Sequence, residues 1–198
     1  MTHKGLPSEL ILASSSVYRQ RLLGRLGQPF TTATPAVDEA TRPGESALTL
    51  SKRLSREKAQ AIATKSADPL VIGADQVAAC DNRLLGKPGG AAGAVEQLSF
   101  CSGKHVVFFT SVALWRPADN QLIEATETVE VSMRGLEVAE IEAYVTKDKP
   151  FDCAGSFKAE SLGIALFRSV TSRDPTALEG LPLMTVAAML RDVGYAIP

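Results

Sequence analysis

The stretch VIGADQVAACDNRLLGKP, Val71 to Pro88, runs from a continuous apolar segment through an acid, Asp75, to a turn and a lysine, Lys87. Pro69-Leu70-Val71-Ile72-Gly73 has no polar alternation and reads as a strand buried on both faces, the kind parallel sheets use. That strand is expected to end at Asp75, with Asp81-Asn82-Arg83 as a turn and Lys87-Pro88-Gly89-Gly90 as a loop before a helix over about Ala91 to Leu98. An acid at the carboxyl end of a buried strand lies where α/β sheets place their ligands. A turn-capping role is the alternative for the same residue.

Upstream, LILAS at Leu10 to Ser14 reads as another strand, and Ser16 as the N-cap of a helix through VYRQRLLGRLG that stops at Gly27. This junction brings Ser14, Ser15, Ser16 and Arg19 to a helix N-terminus, where amide donors and the helix dipole both favour phosphate. A polar, proline-bearing stretch with Val37-Asp38-Glu39 follows. It leads to a helix from about Ser46 to Lys65 whose apolar stripe is Leu50, Leu54, Ala61 and Ile62, with Arg53, Arg56, Glu57 and Lys58 off the stripe.

Downstream, His105 to Trp115 reads as a central strand and Leu122 to Met133 as a strand with one wet face, an antiparallel pair joined through Pro117 to Asn120. Val138 to Val145 reads as a helix, Phe151 to Ser161 as a glycine-containing loop, Gly163 to Val170 as a strand and Leu183 to Asp192 as a closing helix. The 198 residues contain no repeat, low-complexity tract or clear linker, so one continuous α/β domain over 1–198 is expected.

Composition narrows the chemistry. A net charge of −1 and 6% aromatic residues offer neither the basic stripe nor the stacking platform that nucleic acid requires. No apolar run is long enough to span a bilayer, and MTHKGLPSELILASSS lacks the uninterrupted apolar core of a signal peptide, so a cytoplasmic protein with no membrane partner is expected. Three cysteines, Cys80, Cys101 and Cys153, have no CxxC spacing and are expected to be reduced. Only His3 and His105 are available as histidines, too few for a histidine metal site or a Ser-His-Asp triad.

A cation, if used, must therefore be held by oxygen. Asp75 and Glu39 together with bound phosphates suit Mg²⁺ or Mn²⁺, and Arg19 and the lysines would neutralise the remaining phosphate charge. Each residue also has a plainer reading: Arg19 as a surface cation, Glu39 as an exposed loop acid, Lys58 as part of a solvated mixed-charge face. From the residues alone the chain is a candidate metal-assisted hydrolase of nucleotides or phosphoesters.

Taken in order, LILASSSVYRQRLL, VDE, RLSREKA, VIGADQV, LGKP, PFDCAGSFKAES and EGLPL resemble the Maf family of nucleoside triphosphate pyrophosphatases, from near Leu10 to the last helix. The resemblance implies an elongated mixed α/β sheet with flanking helices, like that of the inosine-triphosphate pyrophosphatases, forming two lobes around a central cleft. It also implies a divalent cation, often a homodimer, and hydrolysis between the α and β phosphates of a nucleotide. Asp75 matches the family's catalytic proton acceptor, while Ser14, Arg19, Glu39, Lys58 and Lys87 match positions that hold phosphates and metal.

Gln76 and CAGSFKAES look like the branch acting on 7-methyl-GTP rather than the dTTP and UTP branch, which has Thr after the acid and a segment like KAGAYGIQG. In that branch an aromatic precedes the first motif's arginine. Tyr18 stands there and can stack on a methylated, positively charged purine, while Glu160 would accept from guanine N–H groups and Gln76 would lie near base or ribose. Val17 departs from the family pattern, where proline is common. A non-catalytic nucleotide-binding regulator of cell division or septum formation is the rival from another class.

Overall fold

A computed structural model describes residues 7–62, 64 and 66–198; His3 and Lys65, the expected end of the second helix, lie outside them. In chain order its elements are β1 (Glu9–Ala13), α1 (Val17–Gly24), β2 (Thr31–Ala33), α2 (Ala47–Gln60), β3 (Pro69–Cys80), β4 (Arg83–Leu85), α3 (Ala91–Cys101), β5 (His105–Arg116), β6 (Gln121–Met133), α4 (Val138–Asp148), β7 (Phe167–Thr171) and α5 (Leu183–Asp192). The chain folds into two compact units, one formed by Met1–Asp75, Thr110–Glu127 and Asp174–Pro198, the other by Gln76–Phe109 and Thr128–Arg173.

In the first unit, β1 pairs in parallel with β2 on one side and with β3 on the other, in a register that sets Ala13 beside Gly73. Strand order there is β2-β1-β3-β5-β6. Alternate residues of β1 feed two separate cores: Leu10 and Leu12 pack with Leu22, Leu23, Val186 and Leu190, whereas Ile11 and Ala13 pack with Ala59, Val71 and Ala113. Burial on both faces explains the unbroken apolar runs of β1 and early β3.

The α2 contact is made by small residues. Ser51 and Ser55 are buried; the Ser51 hydroxyl meets that of Ser111 at 2.9 Å, and Ser111 meets Thr126 at 2.8 Å. A Cβ placed on Gly73 would lie 2.1 Å from the Ser55 carbonyl oxygen and 2.6 Å from the Ala59 nitrogen. Only glycine lets the helix backbone lie this close to the strand.

One buried carboxylate organises the other end of the unit. Asp174 Oδ1 accepts from the Thr176 amide at 3.0 Å and from its hydroxyl at 2.7 Å, while Oδ2 accepts from the amides of Met184 at 2.7 Å and Thr185 at 3.4 Å. The same side chain thus caps the 3₁₀ turn Pro175–Glu179 and satisfies amides in the first turn of α5.

The second unit contains the later part of β3, the early part of β5 and the later part of β6, flanked by β4 and β7. β3 and β4 form an antiparallel hairpin at Cys80 and Arg83, and its two central residues, Asp81 and Asn82, have φ of 47° and 63°, the pattern of a type I′ turn. Helices α3 and α4 pack together. Phe157 stands edge-on between Phe108, at 5.3 Å between ring centroids, and Phe167, at 4.7 Å.

Several expectations change: α1 ends at Gly24 rather than Gly27, and α2 at Gln60. β3 runs through Asp75 to Cys80 instead of ending at the acid, because the chain turns antiparallel with β4 only from Ala78 onward. What does end near Asp75 is the parallel pairing with β1, whose last partner is Gly73. The strand expected from Gly163 begins at Phe167: Leu162–Leu166 is a 3₁₀ turn, in which Gly163 folds so tightly against Lys158 that a Cβ would meet its carbonyl at 2.4 Å. β2, at TTA, was not legible as a strand. Among the described residues no helix is long and apolar enough to cross a membrane.

Gly73→Ala should destabilise the protein by about 1–3 kcal/mol or more, since backbone rather than a flexible side chain must move to admit the methyl. Gly86→Ala, where nothing lies within 4 Å, is the control. Equal urea midpoints for the two variants would contradict the close approach.

Candidate active site

The close contact at Gly73 brings α2 onto β3 so that Lys58, buried in the helix, reaches Asp75, buried in the strand. Lys58 Nζ lies 2.6 Å from Asp75 Oδ1 and 2.7 Å from Glu39 Oε1. The lysine and aspartate side chains are 8% and 9% exposed, and the Glu39 side chain 57%. Lys58 is therefore a packed cation joining two carboxylates, and the plainer reading of it as a solvated helix charge is corrected. It lies off the apolar stripe, beside a small-residue face in which Ser55 and Ala59 meet β3 at Gly73 and Ser51 meets Ser111 of β5.

Arg19 adds a second cation. Ser16 caps α1 by accepting from the Arg19 amide at 3.4 Å, and the Ser16 amide donates to the Ser14 hydroxyl oxygen at 3.2 Å. The Arg19 guanidinium is fixed from the opposite end of the sequence, its Nε donating to the Gly180 carbonyl at 2.9 Å. Gly180 has φ of 102°, in the left-handed region that favours glycine, and follows the turn capped by Asp174. The register of β1 on β3 puts Ser14, one residue past Ala13, at the same end of the parallel pair as Asp75.

Electrostatics set the state of the site. Desolvation pushes the Asp75 carboxyl above the ordinary carboxylate range, against the pull of Lys58 and Arg19, and the Glu39 charge adds to the rise. Burial likewise lowers Arg19 from its usual value, opposed by Asp75 and Glu39. An arginine starts so high that it stays charged at neutral pH.

Asp75 and Glu39 already turn oxygens toward one positive group, the Lys58 ammonium, so the place is built for positive charge. Among the described residues no group of three or more His, Cys, Asp or Glu side chains could hold a metal, so a cation here would meet at most the two carboxylates Asp75 and Glu39. That suits Mg²⁺ or Mn²⁺, which complete their shells with phosphate and water.

Of the residues singled out from sequence, the first unit holds Ser14, Tyr18, Arg19, Glu39, Lys58 and Asp75. Tyr18 is half-buried in the first turn of α1. The second unit holds the others: Gln76, half-buried in β3; Lys87, exposed on the loop before α3; and Glu160, exposed in the turn before the 3₁₀ segment. Sequence reasoning missed Gly180, Asp174 and Arg53 as parts of the site's support. The EGLPL segment marked the first, whereas nothing in the residue pattern paired Arg53 with Glu45 or with the backbone at Asp38 and Ala40.

A model of the family described as Maf-like protein matches residues 9–193. A protein of Xanthomonas axonopodis pv. citri (strain 306) named 7-methyl-GTP pyrophosphatase is 50% identical over 189 residues, 96% of this chain and 98% of its own length. Proteins of the same name from Pseudomonas syringae pv. syringae (strain B728a) and Pseudomonas aeruginosa are 47% and 48% identical, covering 98% and 96% of this chain and 100% and 99% of theirs.

Folding favours protonated Asp75, so its stabilising contribution is complete below the ordinary value of 3.8 and is lost as pH rises through the higher folded-state value. Asp75→Asn cannot ionise and escapes that loss. In chelator-treated protein, the Tm of Asp75→Asn minus that of wild type should rise with pH across this window and then level off; a difference that falls with pH would contradict the desolvated acid.

Proposed function

The chain belongs to the Maf-like protein family, and on that footing we propose that it hydrolyses 7-methyl-GTP to 7-methyl-GMP and pyrophosphate. The observation that carries this reading is the near-full-length identity to relatives of that name. A buried acid flanked by Lys58 and Arg19 supplies the chemistry for it.

Asp75 is the proton acceptor. Lys58 occupies its Oδ1, which leaves Oδ2 to take the proton from water as the water oxygen bonds to phosphorus and the α–β bridge breaks. The raised affinity of this carboxylate for protons makes it a stronger base than an ordinary aspartate. Arg19 and Lys58 hold charge on the phosphoryl oxygens, and the Ser14 hydroxyl hydrogen donates to a phosphate. Lys87 binds the phosphate tail from its loop. A divalent cation held by Glu39 and Asp75 would act as a Lewis acid, neutralising charge on the triphosphate and the pyrophosphate leaving group.

For base selection, the Tyr18 ring stacks on the positively charged 7-methylguanine, Glu160 accepts from its N1–H and N2 amino groups, and Gln76 contacts base or ribose. Clearing modified nucleotides from the cytoplasm, by a single domain that pairs as a homodimer, is the role this chemistry suits.

The decisive measurement is pyrophosphate release from 7-methyl-GTP, GTP, dTTP and UTP in Mg²⁺ or Mn²⁺. The methylated nucleotide is expected to be turned over fastest; dTTP turned over as fast would assign the chain to the pyrimidine branch, and no turnover at all would favour the regulator. Asp75→Asn should lower kcat by about 10²–10⁴-fold while nucleotide binding persists.

A further inference from the structure

Glu39 lies on a stretch, residues 34–46, that has neither helix nor strand, and its side chain is 57% exposed. Nothing in its own secondary structure explains why its carboxylate rests 2.7 Å from the Lys58 ammonium. Arg53, on the same helix as Lys58, holds the backbone around it. Its Nη2 donates to the Ala40 carbonyl at 2.9 Å and its Nη1 to the Asp38 carbonyl at 3.4 Å, so the residues on both sides of Glu39 hang from one guanidinium.

The guanidinium is itself fixed. Nε and Nη2 form a fork on Glu45, at 2.5 and 3.0 Å, and Nη1 meets Glu57 at 2.9 Å. Glu45 closes the far end of the stretch by accepting from the Arg42 amide at 2.7 Å, and the Asp38 carboxylate accepts from the Ala40 amide at 3.0 Å. The Arg53 side chain is 12% exposed, far less than a solvated helix arginine.

We propose that Arg53 is a positioning residue for this site: it clamps the backbone on either side of Glu39 and thereby sets that carboxylate against Lys58 and a divalent cation. The inference rests on reading Glu39 as a ligand of the site. The clamp needs a planar fork with donors on three nitrogens, which arginine has and the single ammonium of lysine lacks. Hydrogen bonding to Arg53 holds the Glu45 carboxyl down at about 2, so the fork stays charged through the neutral range. Loss of a residue that orients a metal ligand characteristically weakens metal binding without removing any ligand.

The test is a double-mutant cycle on the full chain with Arg53→Lys, Glu39→Gln and the pair, reading Mn²⁺ affinity from the paramagnetic resonance of free Mn²⁺, with the metal alone as probe, alongside the Mn²⁺ dependence of pyrophosphate release. Arg53→Lys should weaken Mn²⁺ binding about tenfold, and the pair should bind no more weakly than Glu39→Gln. Wild-type Mn²⁺ affinity in Arg53→Lys, or a lowered Tm with unchanged affinity, overturns the proposal, as do additive effects in the pair. Glu39→Gln that binds Mn²⁺ like wild type removes the ligand reading of Glu39 and the proposal with it, whereas a weakened Glu39→Gln beside an intact Arg53→Lys removes the proposal alone. Should Arg53→Lys not fold, Glu45→Gln, which opens the other side of the fork, is taken through the same cycle.

Discussion

Helix α2 lies on strand β3 at backbone distance, and that contact exists because residue 73 has no side chain. A single methyl there would meet a carbonyl oxygen and an amide nitrogen of the helix, neither of which can rotate away. The consequence reaches the chemistry directly. With the helix this close, buried Lys58 in the last turn of α2 meets buried Asp75 and the more exposed carboxylate of Glu39, and three charges are gathered at one point. A layer of serines between α2 and the sheet does the rest, since hydroxyls can pack as tightly as alanines while satisfying one another.

Two of the charges at the site are held by groups outside their own element. Arg19 depends on the carbonyl of Gly180, which in turn depends on a turn capped by Asp174; Glu39 depends on Arg53. In both cases a loop or a long side chain is tied by hydrogen bonds to another part of the chain. That arrangement gives precision to side chains that would otherwise sample many rotamers.

Much of the framework could be read from residue patterns. The unbroken apolar run at Leu70 to Ile72 announced a strand buried on both faces, Ser16 and Ser46 marked helix starts that the structure uses as N-caps, and Leu183 to Asp192 is a helix with the expected bounds. The pairings across the site were harder. Lys58 and Arg53 belong to a helix whose charges look solvated, because beside its apolar Leu50 and Leu54 it also buries a small, polar row of Ser51, Ser55 and Ala59 that draws no attention in the sequence. Asp75 looked like a strand terminus because the apolar run stops there, yet the strand continues to Cys80 and gains a new, antiparallel neighbour. Turns such as Leu162–Leu166 are apolar enough to imitate strands, and only a tight tertiary contact at Gly163 gives them away.

The first unit is assembled from the beginning, the middle and the end of the sequence. Leu10 and Leu12 of β1 share a core with Leu181, Val186 and Leu190, so the earliest strand waits for the last helix to be covered. During synthesis on the ribosome, Glu39, Lys58 and Asp75 are made early, in a unit whose β1 core stays without its apolar cover until α5 emerges. Such long-range closure makes for slow folding and a nascent chain that exposes apolar surface, so the unit that holds Lys58 and Asp75 is the one whose core is completed last.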